Sequence, residues 1–93
     1  MGAEISNKFS EQEAFHEPYR SAFVFITTEL DTDHLALEDL KKIDEVKEVY
    51  LARGAYDLVA KVNGKSFDHV REIVLSKIKN LSNVKSTLIL TVV

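Results

Sequence analysis

The segment Ala22-Phe23-Val24-Phe25-Ile26-Thr27-Thr28-Glu29-Leu30 constrains the fold more than any other stretch. It is rich in β-branched and aromatic residues, and it is apolar on both faces. Such a strand belongs in the middle of a sheet. In a chain of 93 residues without cysteine, its cover must come from the chain's own helices and from whatever meets the second face. A hydrophobic fraction of 45% beside 29% charged residues describes one ordinary globular domain with little room for a deep active site. No apolar run approaches the roughly 20 residues that cross a bilayer, and no basic start followed by an apolar stretch marks an export signal. The absence of cysteine fits a reducing interior. A cytoplasmic protein with no membrane contact is therefore expected.

From this strand the remaining elements follow in order. Asp31-Thr32-Asp33 offers a helix cap, and Leu37, Leu40 and Ile43 recur at three-residue steps, which predicts a short amphipathic helix ending near Asp44. A second strand runs from Val46 to Ala52 and is closed by Gly54. A third covers about Tyr56 to Val62 and ends at the turn signal Asn63-Gly64. Ser66 caps a second helix of about 14 residues, whose apolar stripe is Phe67, Val70, Val74, Ile78 and Leu81, widened by Ile73 and Leu75. The last strand, Val84 to Val93, alternates Thr87, Ile89, Thr91 and Val93 against Leu88, Leu90 and Val92.

The order β-α-β-β-α-β with right-handed crossovers predicts an α+β, ferredoxin-like fold: a four-stranded antiparallel sheet carrying both helices on one face. The other face is then uncovered, and it is greasy, with Phe23 and Phe25 on one side of strand one and Leu88, Leu90 and Val92 on one side of strand four. Apolar patches of this size rarely stay in water, so the open faces of two copies are expected to pack together as a homodimer. Residues 1–20 read as a peripheral arm. Ser10 and Glu13 would allow a short helix over Ser10–His16, stopped by Pro18, and folding of this arm over the open face is the alternative to dimerisation.

Chemistry is poorly provided for. His16, His34 and His69 lie on three different segments without metal-ligand spacing, there is no thiol, and no serine sits in a nucleophile elbow. Asp31 and Asp33 leave open only a weak metal site. Twelve basic against fifteen acidic side chains give a net charge of −3, which works against direct DNA binding. Lys41, Lys42, Lys61, Lys65, Lys77, Lys79 and Lys85 alternate with acids as a solvated face does. Neither an enzyme nor a cofactor or metal protein is indicated.

Two stretches stand apart, Arg53-Gly54-Ala55-Tyr56-Asp57 and Asn83-Val84-Lys85-Ser86-Thr87, because each sets polar groups at the rim of an apolar strand. Gly54 sits where a left-handed or crowded backbone is expected. Asp57 opens a strand otherwise built from Leu58, Val59, Ala60 and Val62, where a carboxylate needs hydrogen bonds either from backbone N–H groups or from a ligand's ammonium. Arg53 is the natural complement for a ligand carboxylate, and Tyr56 is a core or interface side chain.

These stretches, together with Leu40-Lys41-Lys42-Ile43-Asp44-Glu45-Val46-Lys47-Glu48-Val49-Tyr50, resemble the C-terminal effector-binding domain of the leucine-responsive (Lrp/AsnC) regulators, also called the RAM domain. The resemblance covers Ser21 to Val93. It implies a stand-alone effector domain without the family's helix-turn-helix module, which dimerises through its sheets, builds rings such as octamers, and takes a small amino-acid effector between dimers. Carried onto this chain, the ligand-binding positions are Arg53, Gly54, Tyr56 and Asp57 at the first stretch and Ser86 and Thr87 at the second, with the loop from Asp31 to His34 bordering the cleft. A helix-turn-helix homologue is the implied partner in transcriptional regulation. The competing readings are a small dimeric ferredoxin-like enzyme of monooxygenase or isomerase type, and a purely structural assembly module.

Overall fold

A computed structural model of the chain describes residues 20–91, so the helix expected over Ser10–His16 and the last two residues of the final strand lie outside the described residues. The elements are β1 (Arg20–Thr28), α1 (Asp33–Lys41), β2 (Val46–Leu51), β3 (Leu58–Gly64), α2 (Phe67–Ile73), which runs directly into a π-helical segment (Val74–Ile78), and β4 (Val84–Thr91). The strands form one antiparallel sheet in the order β2-β3-β1-β4. This is the ferredoxin-like βαββαβ fold, with β1 in the interior of the sheet.

One face of the sheet holds the core. Ala22, Val24 and Ile26 of β1 alternate inward, as do Leu58, Ala60 and Val62 of β3. They meet Ala36 and Leu40 of α1, Val70 and Ile73 of α2, and Val74 and Ile78 of the π-helical segment, all of them buried. Gly64 continues the inward set of β3. Among the described residues no helix is long and apolar enough to cross a membrane.

Several boundaries differ from the sequence expectation, each for a local reason. α1 stops at Lys41, because Lys42 and Ile43 turn their N–H groups to Asp39 and Leu40, three residues back, and tighten the last turn. Thr32 makes no side-chain cap; its hydroxyl donates back to the Glu29 carbonyl at 2.7 Å. β3 starts at Leu58 and includes Asn63 and Gly64, which pair with Ser21 and Arg20 rather than forming a turn. In the second helix, Ser66 caps as expected by accepting from the His69 N–H. The stripe Val70, Val74 and Ile78 is buried, but Phe67 and Leu75 are exposed. The switch to π geometry is marked by the Lys79 N–H reaching the Val74 carbonyl, five residues back, at 2.8 Å.

Among the described residues nothing packs on the second face of the sheet. Across it run two rows set by strand register: Tyr50, Val59, Phe25 and Leu88, then Glu48, Lys61, Phe23 and Leu90. Tyr50 is 54% exposed, Leu88 49% and Leu90 48%. Polar pairs bracket this apolar band. Ser21 Oγ donates to Asn63 Oδ1 at 2.7 Å at one end, and the hydroxyls of Thr27 and Ser86 meet at the other. At the β2 margin, Glu48 accepts from the Tyr50 hydroxyl at 2.6 Å and lies 3.9 Å from Lys61 Nζ. That carboxylate holds the Tyr50 phenol above its ordinary range.

Candidate functional site

Gly54 takes a φ of +121° in the connection between β2 and β3, and a Cβ there would touch nothing within 4 Å. The glycine answers a need of the backbone rather than of space. The chain then returns to the sheet through Asp57, which is stitched to both neighbouring strands. Its N–H donates to the Ile26 carbonyl at 2.9 Å, and its own carbonyl accepts from the Ala52 N–H at 2.8 Å. Its side chain completes the attachment: Oδ2 accepts from the Thr28 N–H at 2.8 Å and from Thr28 Oγ1 at 3.3 Å. Main-chain donation to Asp57, one of the two alternatives the sequence left open, is thus realised on one carboxylate oxygen.

The half-buried Asp57 also forms part of the wall of a cavity of about 240 Å³, lined with Thr28, Glu29, Leu30, Asp31 and Asp33. Four of these six residues are acidic and none is basic. Such a wall raises the local concentration of cations and suits an ammonium group, which an isolated carboxylate in water would hold only weakly. Asp31 adopts a positive φ of 61°, which turns the loop around the cavity's rim. Among the described residues no three histidine, cysteine or acidic side chains are placed to hold a metal ion.

The structure brings together some of the residues that the sequence singled out and separates others. Asp31 and Asp57 share the cavity. Arg53 and Gly54 are exposed in the β2–β3 connection, at the same end of the sheet but outside the lining. Tyr56 is half-buried and packs on Phe25, with ring centroids 5.3 Å apart and planes tilted by 50°. His34 is exposed; its N–H donates to Asp33 Oδ1 at 2.9 Å. Ser86 and Thr87 are successive residues of β4 and face opposite sides of the sheet, Ser86 opposite Thr27 and Thr87 opposite Ile26.

Thr28, Glu29 and Leu30 are lining residues that sequence reasoning missed. Their only signal was position, since they terminate a strand whose register ends there. β1 and β4 shift register between Thr27 and Thr28, so Thr28 lies opposite Val84. A larger cavity, about 270 Å³ and lined by Asp44, Glu45, Lys47, Asn63, Gly64, Lys65 and His69, lies at the other end of β3. Its charges are mixed, and it includes none of the residues singled out for binding.

Residues 21–93 match the model of the Lrp/AsnC ligand binding domain. The regulatory protein AsnC of Escherichia coli K12 is 35% identical over 52 residues, a match covering 56% of this chain and 34% of that protein, so the aligned part spans about a third of the relative. The solved structure of E. coli AsnC superposes with a TM-score of 0.76 at 27% identity, covering 99% of this chain and 60% of that one. TTHA0845 from Thermus thermophilus gives a TM-score of 0.74 at 31% identity over 80% of this chain and 92% of its own. The transcriptional regulator NMB0573 from Neisseria meningitidis, solved as a complex with L-Met, shares the fold with a TM-score of 0.72 at 17% identity, covering 96% of this chain and 60% of that one. With most of its length matched by one family model and its sheet superposed on that family's structures, the chain belongs to the Lrp/AsnC ligand-binding domains, a non-catalytic effector-binding class.

Proposed function

We propose that this domain binds a small amino acid at the end of the sheet where β1 leaves and β3 begins, with the ligand's ammonium on Asp57, and that it acts in the cytoplasm as the sensing part of Lrp/AsnC-type transcriptional control. Support comes from the Asp57 carboxylate, which is oriented through one oxygen by Thr28 while it walls an acidic cavity. A carboxylate fixed in this way meets a ligand without first losing side-chain freedom. The Neisseria regulator solved with L-Met supports an amino acid as the ligand class. Arg53, exposed on the neighbouring loop, is the group available for the ligand's carboxylate.

The bare sheet face supports association with a second copy. Its apolar band, bracketed by Ser21–Asn63 and Thr27–Ser86, has the centre-and-rim arrangement of a protein interface. Leu30, which lines the cavity, is an exposed apolar side chain, and further assembly into rings such as octamers is proposed to cover it. Binding across such a seam would favour the assembled form by the ligand's difference in affinity, and a helix-turn-helix homologue joined to the assembly would carry the effect to DNA.

Calorimetry with each of the twenty amino acids, on the wild type and on Asp57→Asn, tests the binding. Asparagine keeps an acceptor for Thr28, removes the charge and replaces the other carboxylate oxygen with an NH2 donor. At least one amino acid should bind the wild type, with the variant about tenfold or more weaker, as loss of a charge-assisted bond requires. Equal affinities would remove Asp57 from the site. No binding by any amino acid, with the dimer intact in light scattering, would favour a purely structural assembly module.

A further inference from the structure

At the corner between β3 and α2, a histidine stands where a helix-capping box ordinarily has glutamate or glutamine. Ser66 Oγ accepts from the His69 N–H at 3.1 Å, and the His69 ring reaches back, its Nδ1 accepting from the Lys65 N–H at 2.9 Å. The usual box partner remains an acceptor at any pH near neutral. An imidazole nitrogen accepts only while it is unprotonated. The corner is shaped around this contact. A Cβ on buried Gly64 would lie 3.3 Å from His69 Nδ1 and 2.8 Å from Cγ2 of Val70, so the glycine is what lets the first turn of α2 settle on β3.

We propose that His69 is a pH-operated latch: when neutral, its ring closes the cap on the Lys65 N–H, and when protonated it releases the β3–α2 corner. Protonation at Nδ1 sets two donors against each other and puts a positive charge at the positive end of a helix, so two effects oppose the closed form. The charged ring also has an alternative environment, the cavity of about 270 Å³ that it already lines. Asp44 and Glu45 from the α1–β2 turn face this cavity, together with Lys47 of β2 and Lys65 of the corner itself. Glu45 is bridged by Lys77 of the π-helical segment at 3.0 Å, and Asp68, Arg71 and Glu72 are the charged neighbours on α2. The two carboxylates attract the released ring, and the three lysines limit how strongly. Release frees the turn that seats Val70 on Gly64, beside the Asn63 end of the bare sheet face.

Nuclear magnetic resonance on the full chain tests this between pH 8 and pH 5. The wild-type His69 ring should be the Nε2–H tautomer at pH 8. The protection of the Lys65 amide, corrected for intrinsic exchange, should fall about fivefold to tenfold as the ring takes up its proton, the range expected for one lost hydrogen bond. His69→Gln keeps a neutral acceptor and should hold Lys65 protection flat, whereas His69→Ala should lose it at every pH. A wild-type ring carrying its proton on Nδ1 at pH 8 would overturn the latch without recourse to any variant. So would identical pH profiles of Lys65 protection in the wild type and His69→Gln.

Discussion

Two glycines of this domain do different work, and substitution should tell them apart. Gly54→Ala meets open space but is held at a φ that L-residues rarely adopt, so a loss of about 1 kcal/mol is expected in denaturant unfolding. Gly64→Ala has an ordinary backbone but drives a methyl into Val70, which is fully buried, and should cost about 1–3 kcal/mol as overpacking does. A larger loss at Gly54 than at Gly64 would contradict this assignment. At this scale the sequence was partly readable. Asp57 announced itself as a carboxylate opening an apolar strand, and Gly54 as a turn glycine. Thr28 did not, because its importance lies in donating to a residue 29 positions away, a contact that appears only once β1 and β3 are in register. Ser86 and Thr87 are a different case. The family resemblance named both positions, and alternation along β4 turns their side chains to opposite sides of the sheet.

Secondary-structure elements were legible wherever hydrophobic period and capping chemistry agreed. Ser66 is the clearest case, and Ser66→Ala should lower stability by about 1 kcal/mol through loss of the cap on α2, measurable as a shifted urea midpoint with an unchanged slope. The π-helical segment was not legible, since its residues keep the 3- and 4-residue spacing of an ordinary helix and only the Lys79-to-Val74 bond reveals the wider turn. This segment carries Lys77, whose Nζ lies 3.0 Å from both oxygens of Glu45. The lysine's hydrogen bonds hold the Glu45 carboxyl below its ordinary value of 4.5. A carboxyl lowered in the fold contributes stability that is fully present above 4.5 and is lost as pH falls through the lowered folded value. Lys77→Met should therefore cost up to about 1 kcal/mol at pH 7, the scale of a solvent-screened pair, and the difference from wild type should shrink toward pH 3. Thermal unfolding across that range checks the sign.

For the molecule as a whole, the fold class followed from the order of elements and from one strand apolar on both sides. The second side carries the rows Tyr50-Val59-Phe25-Leu88 and Glu48-Lys61-Phe23-Leu90, the surface proposed above for a second copy. Leu88→Lys places a charge at the β4 side of the apolar band without touching the helix-side core. Light scattering should show a dimeric wild type and a variant shifted toward monomer, and a dimer unchanged in both would move the association surface elsewhere. The strand order has a consequence for how the chain acquires its shape. β1 lies between β3 and β4, yet it leaves the ribosome before the other strands, and the segment that closes its second edge follows all of them. Until β4 has emerged, the greasiest strand of the domain has no finished place, so a chain cut short before it would hold β1 with one ladder open and ready to pair with a stranger.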